Sequence, residues 1–131
     1  MPQTLDGIHV LLVEDNADAR ELMKSFMEYQ GAFVVPAEDA ASALAIMETM
    51  KPDVIVTDLN MPKHDGIWLI QQARQRGHLN GVPSMAVTAM QLEHEQIEAA
   101  GFKAYLRKPI EPDTLCSTVR GLVRRRTTPE G

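Results

Sequence analysis

Short apolar runs alternate with amphipathic stretches along the whole chain. The runs are rich in Val, Leu and Ile and are nearly continuous: Ile8–Val13, Ala32–Pro36, Val54–Thr57, Ser84–Thr88 and Ala104–Leu106. Continuous runs of this length, without a regular polar alternation, are typical of strands that are buried on both faces, as in a parallel sheet. The pattern therefore predicts five strands in one buried parallel sheet.

Helical patterns follow each of these runs. In the first, Leu22, Met23, Phe26 and Met27 repeat at three- and four-residue spacing, with Asn16 as the N-cap and Gly31 as the stop. The other four helices are predicted from about Asp39 to before Pro52, from Asp65–Gly66 to about Gly77, from about Gln91 to Ala100, and from about Pro112 to Arg126.

Strand and helix thus alternate five times, which predicts a doubly wound (βα)5 domain with right-handed crossovers and helices on both faces of the sheet. We expect a lead-in at residues 1–7, the domain at 8–126, and a tail or linker start at 127–131. Ligands of such sheets bind at the carboxyl ends of the strands. The residues that directly follow the strands are therefore the first candidates for chemistry.

Composition narrows the class of protein. The chain of 131 residues has thirteen Lys and Arg and eighteen Asp and Glu, so its net charge is −5. This negative charge argues against direct binding of nucleic acid. One cysteine, Cys116, excludes an internal disulfide framework and a multi-cysteine zinc site. No apolar run approaches a membrane span, and the first residues do not resemble a signal peptide. We therefore expect a cytoplasmic protein that does not bind a membrane directly.

The strand ends carry a distinctive set of polar groups. Glu14 and Asp15 follow the first predicted strand, Asp58 the third, Thr88 ends the fourth, and Lys108 follows the fifth. Three acids outweigh one lysine, and unpaired like charges at close range are costly. A divalent cation would neutralise them, and carboxylate oxygens suit Mg²⁺ best. We therefore predict a magnesium site at this edge, with Mn²⁺ as a substitute ion.

Such a site could bind a phosphoryl group and take part in its transfer. A carboxylate beside Mg²⁺ can attack phosphorus and form an acyl phosphate, so Asp58 is the candidate nucleophile. Asp15 and Glu14 would then serve the metal, while the Thr88 hydroxyl and the Lys108 ammonium would hold the other phosphoryl oxygens.

Four segments at the strand ends resemble the receiver domain of two-component response regulators. They are Val13–Asn16, the Thr-Asp-Leu-Asn-Met-Pro-x-x-Asp-Gly motif at 57–66, Val87–Ala89 and Leu106–Ile110. The resemblance covers about residues 8–126 and implies a flavodoxin-like three-layer sandwich with strand order 2-1-3-4-5. The segments Leu5–Asn16 and Gly77–Pro83 look especially like receivers at the end of hybrid sensor histidine kinases.

The resemblance also implies a function. Asp58 would accept a phosphoryl group from a phosphohistidine on a histidine kinase or histidine phosphotransfer domain, as a regulatory switch and not a turnover enzyme. Asp15 and Asp58 would ligate Mg²⁺ directly, the backbone carbonyl of Asn60 would be a further ligand, and Glu14 would act through water. Phosphorylation would remodel the face made by the fourth helix, fifth strand and fifth helix, which is also a candidate homodimer surface.

Further roles rest on the same resemblance. Thr88 and Tyr105 would form the switch pair, and the Lys108–Pro109 peptide bond would be cis. Glu14 replaces the Asp that is commoner in the family. Asn60 and Met90 flank the path of the attacking water in the family, so their identities affect the lifetime of the phosphoryl group. His64 is expected to be a solvated loop residue.

Other functions fit the sequence less well. A haloacid-dehalogenase-like phosphatase also uses an Asp nucleophile, but it needs a second acid two residues later, where this chain has Asn60. A flavin- or nucleotide-binding module would need a glycine-rich phosphate loop, and Glu14–Ala17 is acidic instead. A degenerate receiver that acts only by protein contacts is the third alternative.

Overall fold

The computed structural model describes residues 4–79, 81–89 and 94–127, and its centre is a five-stranded parallel sheet. The strands are β1 (His9–Val13), β2 (Phe33–Ala37), β3 (Val54–Asp58), β4 (Ser84–Thr88) and β5 (Ala104–Arg107). They are ordered β2-β1-β3-β4-β5, and every neighbouring pair is parallel. The predicted doubly wound, flavodoxin-like architecture is therefore confirmed.

Five α-helices connect or follow the strands. They are α1 (Ala17–Tyr29), α2 (Ala40–Met47), α3 (Gly66–Arg74), α4 (His94–Ala100) and α5 (Pro112–Thr127), with a 3-10 turn at Gly77–Leu79. Most predicted bounds shift by a few residues: β1 begins at His9 and not Ile8, β2 is displaced by one residue, and α3 ends at Arg74. The predicted start of α4, at Gln91, lies outside the described residues.

The continuous apolar strands serve two separate cores. Leu11, Val13, Ile55 and Ala86 face one side of the sheet with α2, α3 and α4, while the residues between them in sequence face α1 and α5. Successive side chains of a strand point to opposite faces, so a strand covered on both sides must be apolar at every position. This explains why the strands show no polar alternation.

Two predicted details are corrected by the packing. Leu22 belongs to the apolar pattern that predicts α1, but it is 55% exposed, because Met23 and Met27 form the face of the helix that meets the sheet. Leu5, in the predicted lead-in, is completely buried in the core on the side of α1 and α5, and its N–H donates to the carbonyl of Gln30 at 2.9 Å. The described part of the lead-in, from Thr4 onward, therefore packs onto the domain through Leu5.

Side-chain caps fix where three helices begin. Asn16, Asp39 and Asp65 are extended residues whose side-chain oxygens accept a hydrogen bond from the backbone N–H three positions later. Such caps satisfy N–H groups that have no partner within the helix.

In the described part of the chain, no helix is long and apolar enough to cross a membrane.

The Asp39 cap provides a test of this local structure. We predict that Asp39→Ala lowers the free energy of unfolding by about 1 kcal/mol, whereas Asp39→Asn, which keeps a capping oxygen, lowers it less. Hydrogen bonds from the backbone N–H and the hydroxyl of Ser42 hold the pKa of Asp39 below its ordinary value. The contribution of the carboxylate is therefore complete at neutral pH and declines as the pH falls through the lowered pKa.

Urea unfolding of the three proteins, followed by circular dichroism along a descending pH series, measures both effects. Equal stability of Asp39→Ala and the unsubstituted protein at neutral pH would contradict the prediction.

Candidate functional site

The parallel sheet brings the polar strand ends to one edge. Val13 lies opposite Thr57, Asp58 opposite Val87, and Thr88 opposite Arg107. Glu14 and Lys108, which directly follow β1 and β5, therefore lie at the same edge as Asp58, as the sequence predicted. The long side chain of Lys108 reaches from the end of β5 past β4 to Asp58 and Glu14, so the sheet brings together side chains that are up to 94 positions apart in the sequence.

Lys108 joins two of the acids. Its Nζ donates to Glu14 Oε1 at 2.7 Å and to Asp58 Oδ2 at 3.1 Å. Glu14 is completely buried and the Asp58 side chain is 8% exposed, whereas the lysine side chain keeps 24% of its exposure. One ammonium group thus neutralises part of the charge of two buried carboxylates.

The pKa shifts reflect this balance between burial and pairing. Burial raises the pKa of the Glu14 carboxyl, and the charge of Asp58 acts in the same direction against hydrogen bonds from Lys108 and the Asn16 backbone. Burial alone would lower the pKa of Lys108, but its hydrogen bonds to Glu14 and Asp58 outweigh this and leave that pKa raised. Lys108 is therefore charged at neutral pH. Counted by formal charge, three carboxylates against one ammonium group leave an excess of negative charge at this edge of the sheet.

Asp58 is positioned by the loop that follows β3. The backbone N–H of Asn60 donates to Asp58 Oδ1 at 3.0 Å, and the Thr57 hydroxyl donates to the Asp58 carbonyl at 2.9 Å. Gly66, the first residue of α3, donates its N–H to the Leu59 carbonyl at 3.0 Å. A Cβ at position 66 would overlap the carbonyl oxygen of Asp58, so only glycine allows this approach without a shift.

Three carboxylates form a donor set for a cation. One oxygen each from Glu14, Asp15 and Asp58 lie within 4.8 Å of one another, and Asp15 is exposed to solvent. Hard oxygen ligands of this kind, with one side open to water, fit Mg²⁺, which retains several waters when bound. The residues therefore fit the predicted ion. Asn60, whose carbonyl was predicted as a further ligand, is exposed beside them.

The other predicted residues within the described part of the chain lie in β4, in β5 and directly after β5. Thr88 is completely buried at the end of β4. Tyr105 lies opposite Ala86 and packs, partly buried, against the core that includes α2, α3 and α4. The Lys108–Pro109 peptide bond is cis. Met90 lies outside the described residues.

His64 is exposed, as expected, but its ring also stacks on the Trp68 ring at 3.7 Å between centroids. The stack places it on the outside of the loop that follows Asp58, and the described residues give it no contact with the carboxylates.

One residue of the site was missed in the sequence. Arg20 of α1 donates from its guanidinium to the carbonyl oxygen of Glu14 at 2.8 Å and, more weakly, to that of Asp15 at 3.5 Å. Its signal was an arginine near the start of a helix, where a positive charge opposes the helix dipole.

Comparison with known proteins agrees with this geometry. A family model described as "Response regulator receiver domain" matches residues 10–120. Response regulator MprA of Mycobacterium sp. (strain KMS) is 31% identical over 126 residues, which are 95% of this chain and 54% of that protein. A 14.6 kDa protein from the sodA1 3′ region of Leptolyngbya boryana is 36% identical over 90% of this chain and 92% of its own length.

Solved structures are also similar. The receiver domain of the Francisella response regulator 1452 has a TM-score of 0.82 and 31% identity, covering 91% of this chain and 98% of that one. Chemotaxis protein CheY4 of Vibrio cholerae has a TM-score of 0.83 and 27% identity, covering 88% and 98% respectively. The chain spans about half the length of MprA, so the activity of that whole protein does not transfer to this chain by similarity.

Gly66 offers a test of the site with an internal control. We predict that Gly66→Ala lowers the free energy of unfolding by about 1–3 kcal/mol, because the added methyl group collides with the backbone beneath Asp58. Gly121→Ala lies within α5, where nothing is within 4 Å of an added Cβ, and should raise it by about 0.5–1 kcal/mol.

Chemical denaturation of both variants measures the difference in sign. A Gly66→Ala protein as stable as Gly121→Ala would show that α3 does not pack against Asp58 as described.

Proposed function

Because the chain belongs to the response regulator receiver domain family, we propose that it is a phosphoacceptor switch in which Asp58 receives a phosphoryl group from a phosphohistidine. The observation that carries the proposal is Lys108, whose one ammonium group contacts both Glu14 and Asp58 at the strand ends. A histidine kinase or a histidine phosphotransfer domain is the partner that such chemistry requires.

In the transfer, a carboxylate oxygen of Asp58 forms a bond to phosphorus as the P–N bond to the donor imidazole breaks. The electron pair of that bond remains on the imidazole nitrogen. Asp58 Oδ1 accepts from the Asn60 N–H and Oδ2 from Lys108, so both oxygens are oriented before the phosphoryl group arrives. Lys108 then pairs with a phosphoryl oxygen, and the Thr88 hydroxyl donates to another.

Mg²⁺ would be held by Asp15, Asp58 and the Asn60 carbonyl, and through water by Glu14. When bound, the ion supplies positive charge to the phosphoryl oxygens during transfer. The residues' own contribution is geometric, because they hold a nucleophile and its counter-ion at one open edge of a rigid sheet.

The phosphatase alternative lacks a residue that it needs. Asn60 lies two residues after Asp58, where an Asp-nucleophile phosphatase would require an acid to protonate a leaving group. We therefore propose a switch that is phosphorylated once per signal and does not turn over an external substrate. Its output is proposed to pass through the face formed by α4, β5 and α5, where Tyr105 would respond together with Thr88.

The acceptor assignment is tested by intact-mass spectrometry after incubation with a small acyl phosphate donor and Mg²⁺. We expect one phosphoryl adduct in the unsubstituted protein, none after removal of the cation by EDTA, and none in Asp58→Asn. Asp53→Asn is the matched control, because Asp53 lies just before β3, at the opposite edge of the sheet. An adduct of equal yield in Asp58→Asn would refute the assignment.

The proposed role of Lys108 predicts opposite effects on two measurements. In Lys108→Met, loss of the ammonium group frees two carboxylates, so Mg²⁺ should bind several-fold more tightly. The rate of adduct formation should nevertheless fall at least about tenfold, since a charge that faces the phosphoryl oxygens is lost.

Lys103→Met, which removes an exposed lysine just before β5, is the control for both measurements. Weaker Mg²⁺ binding in Lys108→Met, or an unchanged rate, would contradict the role given to Lys108.

A further inference from the structure

Arg20 contacts the backbone of the acidic site and none of its carboxylates. It lies in the first turns of α1 and is half-buried. Its Nη1 donates to the carbonyl oxygen of Glu14 at 2.8 Å and reaches that of Asp15 at 3.5 Å. Arg20 thus holds the backbone of the two consecutive acids that follow β1.

The contact to Glu14 satisfies a group that cannot turn to water. Glu14 is completely buried, so its carbonyl oxygen is buried with it, and a buried carbonyl without a partner is destabilising. A guanidinium donor supplies a charge-assisted bond, which is shorter and stronger than a neutral one. The peptide group between Glu14 and Asp15, which sets the position of the Asp15 side chain, is therefore held by a residue of α1.

The position of Arg20 is electrostatically unfavourable for the helix itself. A cation near a helix N-terminus opposes the helix dipole, by about 0.3–1 kcal/mol at exposed positions. The first helical bond, from the N–H of Arg20 to the Asn16 carbonyl at 2.9 Å, forms regardless of the side chain. The contacts of the guanidinium group with the carbonyl oxygens of Glu14 and Asp15 offset this cost.

We propose that Arg20 is a positioning residue that holds Glu14 and Asp15 in the geometry that binds the divalent cation. The proposal rests on the function assigned to the site above and extends it to a residue that meets neither the cation nor the phosphoryl group. Arg20 acts through the backbone of the ligands, so its effect on cation affinity is separable from its charge.

Charge and geometry make opposite demands here. If Arg20 acted only as a nearby positive charge, its removal would reduce repulsion and tighten cation binding. If it positions the acids, its removal weakens cation binding, typically by about tenfold for a group that orients metal ligands. The direction of the change in affinity therefore distinguishes the two roles.

The experiment is a calorimetric titration of the full chain with Mn²⁺. We expect Arg20→Gln to bind about tenfold more weakly than the unsubstituted protein. Arg20→Lys keeps the charge, but its side chain is shorter and does not place a donor where Nη1 lies, so it should also bind more weakly. Arg76→Gln is the matched control, because Arg76 also donates to a backbone carbonyl, that of Gln72 at 2.8 Å, but it follows α3 and pairs with Glu48, away from the carboxylates.

Thermal unfolding in EDTA shows whether each variant is folded, and Arg20→Lys serves as the test if Arg20→Gln is not. Tighter or unchanged Mn²⁺ binding in folded Arg20 variants, or equal weakening in Arg76→Gln, would overturn the role given to Arg20 and leave the acceptor assignment intact. Failure of the unsubstituted protein to bind Mn²⁺ would overturn both the role given to Arg20 and the acceptor assignment.

Discussion

The contact of Lys108 with Glu14 and Asp58 is the interaction on which the rest of the site depends. It joins the ends of β1, β3 and β5, three strands that lie far apart in the sequence. Burial of two carboxylates without a counter-ion would be costly, and an ammonium group held between them offsets that cost only in part. The site therefore has spare negative charge, which suits a divalent cation, and under the proposed function the Lys108 ammonium group lies where it would meet the phosphoryl oxygens.

The surrounding structure makes this arrangement rigid. β3 and β4 are buried along their whole length and β1 from Val10 onward, so the carboxyl ends of these strands cannot move without disturbing the packing on two faces. The loop after β3 is held by the Asn60 N–H on Asp58 and by the close approach of Gly66. Among the described residues of the site, Asp15 and Asn60 are exposed, Lys108 is partly exposed, and the Asp58 side chain is 8% exposed. Under the proposed function, a phosphoryl donor and a cation would both approach from this exposed side.

The sequence predicted much of this because its signals are local. Continuous apolar runs, three capping residues and polar groups directly after strands were enough for the sheet, the helix starts and the edge where the acids meet. Errors came where a local signal has two readings. Leu22 has the spacing of a core residue but lies beside the buried face of α1, and helical spacing does not show how wide that face is.

What the sequence determined by itself, then, is the order of the elements, their burial on two faces, and the set of side chains at the strand ends. The strand order and the switch pair came from the resemblance, and the structure bears out the order. Only the tertiary structure decided that Lys108 would share its ammonium between Glu14 and Asp58, that Arg20 would reach the carbonyl of Glu14, and that His64 would stack on Trp68. Hydrophobic periodicity depends on one segment at a time, whereas an ion pair or a carbonyl contact depends on the distance between segments that meet only when the sheet is assembled.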